Sequence, residues 1–189
     1  MEIKKITDQF IKILLNPPIA WKKADFSNLK FENIIFPFFS GIMLICFISR
    51  IIGKSLSYLS VSSIQHIMLY SMLSLLVDYL FFIILVYAIN AILPYNDLKP
   101  DKKKVGVLVM ISLTPFYASV VILNLFPSLF FLAIISLYSF YILYWGISRY
   151  LKLAENRQLV FFAITSLTIF GIYLILHFAI IYPFFEFII

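Results

Sequence analysis

Apolar residues along this chain come in long, nearly unbroken blocks. Five blocks reach the roughly 20 residues that a helix needs to cross a bilayer: about 33–52, 66–93, 105–126, 128–148 and 158–182. Inside hydrocarbon almost every backbone amide and carbonyl must be paired within its own segment, which selects helix over open strand. Short polar pieces separate the blocks. They are GKSLSYLSVSSIQ after the first, PYNDLKPDKKK after the second, a turn at FPS after the third, and YLKLAENR before the last. Pro127 in that turn is preset for a first helical position.

A different rhythm precedes the blocks. Ile3, Ile6, Phe10, Ile13 and Leu14 recur at helical spacing, with Lys4, Lys5, Asp8 and Lys12 on the other face. The spacing predicts an amphipathic helix lying in the membrane interface, its lysines against anionic head groups. The competing reading is a solvated helix packed on the loops. Asn16-Pro17-Pro18 ends it, because proline lacks an amide donor and clashes with the preceding turn. Trp21, flanked by Lys22 and Lys23, has the setting of an interfacial anchor. The expected organisation is a cytoplasmic segment over 1–32 and a membrane domain over 33–189. In fold class this is an all-α membrane protein, a five-helix transmembrane bundle preceded by an N-terminal interfacial amphipathic helix.

Composition agrees. Hydrophobic residues make up 63% of the 189 and charged ones 13%, with a mean hydropathy of +1.02; a soluble domain is about 25% charged. The net charge of +6 could suggest nucleic acid until its positions are read. No basic stripe interleaved with aromatics occurs. Five crossings put thirteen of the fifteen lysines and arginines on one side, leaving only Arg50 and Lys54 on the other. The positive-inside rule then places the N-terminus in the cytoplasm and the C-terminus outside, with anionic lipids as partners at the cytoplasmic face. No cleavable signal peptide is expected, since the first 32 residues carry six lysines and four acids; the first span serves as the targeting signal.

Against this background Asp78 stands out. It sits in SLLVDYLFF, near the middle of the second block, with eighteen uncharged residues before Asp97. A central aspartate costs roughly 2.5–3.5 kcal/mol on insertion scales, so it should face the bundle interior. Every lysine and arginine falls in a polar piece or at a helix end, so the expected partners are hydroxyls. Ser74 shares its face; Thr114, Tyr138 and Tyr141 lie at similar depth; His177 lies nearer the outer surface. Pro115 frees the carbonyl of Ile111 and should kink the third span, with Thr114 helping to satisfy the opened backbone. These residues form either a helix-packing clamp or a proton or substrate site. Asp78, Ser74, Thr114, Pro115, Tyr138, Tyr141 and His177 are the candidate intramembrane polar site.

Other chemistry is absent from the pattern. Gly53-Lys54-Ser55 resembles the end of a phosphate loop, but Ile48 stands where its first glycine is required. There is no HExxH or GxSxG motif, and a single cysteine, Cys46, excludes an internal disulfide. The two histidines have no metal-ligand spacing, and no nucleophile–base pair can be named. The expectation is a non-enzyme without catalytic residues, metal or cofactor. No two glycines stand four apart to mark a dimerisation face.

One stretch carries a resemblance. Thr114-Pro115, then Asn124-Leu125 with Pro127, then LYSFYILYWG at 137–146, and a short charged loop with Lys152, Glu155 and Arg157 resemble the Yip family of Ypt/Rab-interacting membrane proteins, in its short bacterial form. Upstream, Asn16, Pro17 and Trp21 are similar to that family's entry motif. The resemblance implies five helices, an inward N-terminus and an outward C-terminus. Eukaryotic members imply Rab binding, vesicle transport and membrane shaping; the long cytoplasmic region that goes with those roles has no counterpart here. For bacterial members the resemblance implies an inner-membrane protein with no assigned reaction. The expected function is a non-enzymatic membrane protein acting through lipid contacts, a membrane-protein partner or a homo-oligomer. The alternative is a small-solute or proton-coupled transporter using Asp78.

Overall fold

The computed structural model describes residues 2–26, 31–58 and 64–183, which form helices and short connections with no strand among them. In order the helices are α1 (Glu2–Leu15), α2 (Pro17–Lys23), α3 (Phe31–Tyr58), α4 (Ile64–Ile92), α5 (Lys102–Leu125), α6 (Tyr138–Trp145) and α7 (Glu155–Leu176). A 3₁₀ stretch, Pro127–Leu137, leads into α6, and the π turns Gly146–Tyr150 and His177–Ile181 extend α6 and α7. Five segments are long and apolar enough to cross a membrane: Pro37–Leu56, Ile64–Asn96, Lys102–Leu125, Pro127–Tyr150 and Glu155–Ile181. This is the architecture of a multi-pass membrane protein. Lys30, residues 59–63 of the first loop and residues 184–189 of the tail lie outside the described residues, as do the side chains of Ile3, Lys4 and Lys5.

Short connections make successive spans antiparallel. The α4–α5 loop, the α6–α7 connection and α2 therefore share one end, which is rich in lysine. The C-terminus of α3, the Phe126 turn and the end of α7 share the other. The helix α5 is central: 67% of an apolar 18-residue stretch of it is buried, against 17% of the corresponding stretch in the last span. It packs on α3, α4 and the fourth span. Its run Val105–Leu113 is buried on every side, the pattern of a core helix.

Pro115 lies inside α5, and the helix continues through it. Phe116, the next residue, donates its backbone N–H to Ser139 Oγ of α6 at 3.0 Å, and Thr114 Oγ1 donates to the Met110 carbonyl at 3.1 Å. Thr114 thus bonds the carbonyl of Met110 and not that of Ile111, which Pro115 frees, and Ser139 joins the proline turn to the fourth span.

The first spanning helix is longer than its apolar block. The polar letters after residue 52 continue the α3 helix to Tyr58, and Gly53 is where α3 meets α5. A β-carbon there would run into the carbonyl of Asn124, so glycine permits the close approach. Beside it, Asn124 Nδ2 reaches Ser49 Oγ at 3.5 Å.

At the lysine-rich end, α1 turns Ile6, Phe10 and Ile13 into the protein. Phe10 stacks on Phe38 at 5.6 Å. Trp21 is 1% exposed, and its Nε1–H donates to the Ile142 carbonyl at 3.1 Å. Its ring lies 5.1 Å from that of Tyr150. An interfacial anchor keeps its indole edge among head groups. Trp21 is instead a buried peg that fastens the N-terminal helices to α6, which corrects the anchor role expected from its flanking lysines. Lys22 and Lys23 are exposed.

Candidate functional site

The second span brings Asp78 inward, as the cost of an exposed intramembrane carboxylate requires, but its partner is a cation. Arg50 of α3 meets it, Nη1 to Oδ2, at 2.7 Å, with side chains 10% and 9% exposed. Neither of those two atoms has a further hydrogen-bond partner among the described residues. The expectation of hydroxyl partners alone is therefore corrected. Because α3 runs on past residue 52, Arg50 is drawn inside the bundle instead of standing in a loop.

The pair closes a small cleft between α3, α4 and the end of α7. Tyr70, Ser74, Tyr173 and His177 line it with Arg50 and Asp78. Tyr173 and His177, one turn apart, stack at 5.4 Å, and Tyr173 also meets Phe81 edge-on at 5.7 Å. Lys54, one turn beyond Arg50, lies over the Tyr70 ring at 5.0 Å. The cleft has a volume of about 30 Å³, which is room for water-sized guests.

Of the residues nominated from sequence, Asp78, Ser74 and His177 come together here. Thr114 and Pro115 belong to the α5–α6 contact described above. Tyr138 and Tyr141 stack on each other at 5.5 Å, and Tyr138 Oη donates to the Leu14 carbonyl at 2.9 Å. Those two tyrosines face α1 and the outside of the bundle. Arg50, Tyr70 and Tyr173 were missed. The signal that could have found Arg50 is length, because a 28- or 29-residue second helix rising about 42 Å calls for an equally long neighbour.

The chemistry available at the pair is electrostatic. Each ion alone would be an uncompensated buried charge, and each cancels the charge of the other, offsetting part of the burial cost. The pair ties α3 to α4, and α7 packs on α4. A larger cleft of about 240 Å³ lies between α4, α5, the fourth span and α7, walled by Phe116, Phe140, Phe170 and Tyr173, with Ser112, Ser136 and Ser139 its polar points. It adjoins the ion pair through Phe81 and Tyr173, which line both. Among the described residues no group of histidine, cysteine and carboxylate side chains could hold a metal ion.

No family model, curated protein or solved structure matches this chain.

Proposed function

We propose that this chain is a non-enzymatic, Yip-type multi-pass protein of the inner membrane, with its N-terminus in the cytoplasm. It acts through lipid and protein contacts in the bilayer, in membrane organisation or a trafficking-like role. The observation that carries this reading is the space at the intramembrane acid. About 30 Å³ is open beside Asp78, whereas sites for organic ligands run to about 300–1,000 Å³, and the carboxylate is already met by Arg50. Three further features support it. Thirteen of fifteen cations fall at one end of the span order, as the positive-inside rule asks of a cytoplasmic face. The cleft between α4 and α7 has the apolar chemistry of an acyl chain. The Thr114-Pro115, Asn124-Leu125-Pro127 and LYSFYILYWG motifs carry the family resemblance.

The test is reconstitution of the full chain into liposomes holding a pH gradient and a trapped pH-sensitive dye. The gradient should decay at the rate of protein-free liposomes, for the wild type and for Asp78→Asn alike. A gradient that the wild type collapses and Asp78→Asn preserves would replace this reading with a proton-coupled transporter built on Asp78, with His177 beside it. In native membranes, cross-linking should recover a reproducible protein partner or a second copy of the chain.

A further inference from the structure

At the lysine-rich end three distant segments converge on one basin of about 460 Å³, within the size range of ligand sites. The end of α2 contributes Lys22 and the stretch after it Asp25. The start of α5 contributes Asp101, Lys103 and Lys104. The end of the fourth span and the turn after it contribute Arg149 and Lys152. Five cations thus face two carboxylates, and one carboxylate is committed to the helix cap, where Asp101 Oδ1 accepts from the Lys104 backbone N–H at 3.0 Å. Trp21 and Tyr150 form an aromatic wall.

Topology alone does not account for this arrangement. The positive-inside rule asks for cations at this end; it does not gather them around one cleft. Nor does it favour their position. Lys102, Lys103 and Lys104 occupy the first turn of α5, which carries no acid, and there the helix macrodipole opposes positive charge. Lys102 turns away and lies over the Tyr87 ring at 4.2 Å, while Lys103 and Lys104 face the basin. Lys152, at its rim, holds a left-handed backbone with φ 58°, which a lysine adopts rarely. With the first turn of α5 already capped by Asp101, the feature that suits phosphate is the gathering of Lys22, Lys103, Lys104, Arg149 and Lys152 from three segments around one cleft.

We infer that this basin binds a phosphate-bearing anion, with the headgroup of an acidic phospholipid or a soluble phosphate as the two sources of that chemistry. The inference deepens the reading of the chain as acting through lipid contacts, and rests on it for the lipid source. The two can fail separately. Protons crossing the membrane would overturn the non-transport reading and leave the basin untouched; loss of phosphate binding would do the reverse.

The experiment uses the full chain in detergent, titrated with phosphatidic acid, with phosphatidylcholine and with inorganic phosphate, bound species being counted by native mass spectrometry. Phosphatidic acid should be retained over phosphatidylcholine. Lys104→Gln with Lys152→Gln should weaken it about tenfold or more, since two charge-assisted contacts are removed. The charge-preserving pair Lys104→Arg with Lys152→Arg should bind as the wild type does, and so should the off-basin pair Lys99→Gln with Lys102→Gln. Inorganic phosphate that binds and displaces the lipid would mark a soluble phosphate as the ligand; lipid binding alone would mark the headgroup. Binding of neither probe, or an equal loss in the off-basin pair, overturns the inference.

Discussion

Removing one member of the Arg50–Asp78 pair should unsettle the bundle more than removing both. Asp78→Asn leaves a guanidinium in a space where its side chain is 10% exposed, and Arg50→Met leaves a carboxylate that is 9% exposed. Neither Arg50 Nη1 nor Asp78 Oδ2 has another described hydrogen-bond partner to fall back on. Stranding one partner of a buried pair costs about 3–5 kcal/mol. For a chain of this size each kcal/mol moves the midpoint by about 2–4 °C, so each single variant should melt about 6–20 °C below the wild type. The double variant carries no stranded charge and should lose less than the two singles summed, by about 0.5–3 kcal/mol of coupling. Thermal unfolding in detergent, followed by tryptophan fluorescence, reads all four corners of the cycle. Additive losses, or single variants within about 0.5 kcal/mol of the wild type, would refute the pairing.

Three smaller perturbations test the packing around the site. Gly53→Ala drives a β-carbon into the Asn124 carbonyl and should cost about 1–3 kcal/mol as overpacking, read as a lowered unfolding midpoint. Ser139→Ala takes away the acceptor of the Phe116 N–H; a buried donor left unpaired costs about 1–3 kcal/mol, whereas Ser136→Ala, whose hydroxyl donates only to the Ala133 carbonyl of its own turn, should stay near the wild type. Trp21→Ala removes both the indole bond to Ile142 and the contact with Tyr150, so limited proteolysis should release the N-terminal helices faster than it does in the wild type.

The spans were legible because lipid turns apolar length into a direct signal. Each block long enough to cross became a helix within a few residues of its expected bounds, the first excepted. That helix shows where sequence reading stopped. Gly53-Lys54-Ser55-Leu56-Ser57-Tyr58 has the composition of a loop, yet it stays helical because Gly53 seats against Asn124 and Arg50 has a counter-charge on α4. Both partners are distant in sequence, so no local pattern announces them. Asp78 was recognisable as an inward residue from its cost alone, and Ser74 from its spacing. His177 reached the same cleft only through the packing of α7 on α4. Trp21 misled for a related reason: flanking lysines mark the interface, but the carbonyl of Ile142 decides which way the indole points. Tyr138 and Tyr141 share a helical face with each other, and helical spacing says nothing about which neighbour that face meets.

Cysteine accessibility tests the central claim, five crossings with the ion pair enclosed between the first two. With Cys46→Ala as background, single variants Leu56→Cys, Ser74→Cys, Lys99→Cys and Glu155→Cys are treated with a membrane-impermeant maleimide on intact cells and again after permeabilisation. The account predicts labelling of Leu56→Cys on intact cells, of Lys99→Cys and Glu155→Cys only after permeabilisation, and of Ser74→Cys under neither condition. Labelling of Leu56→Cys and Lys99→Cys from the same side, or of Ser74→Cys on intact cells, would contradict it.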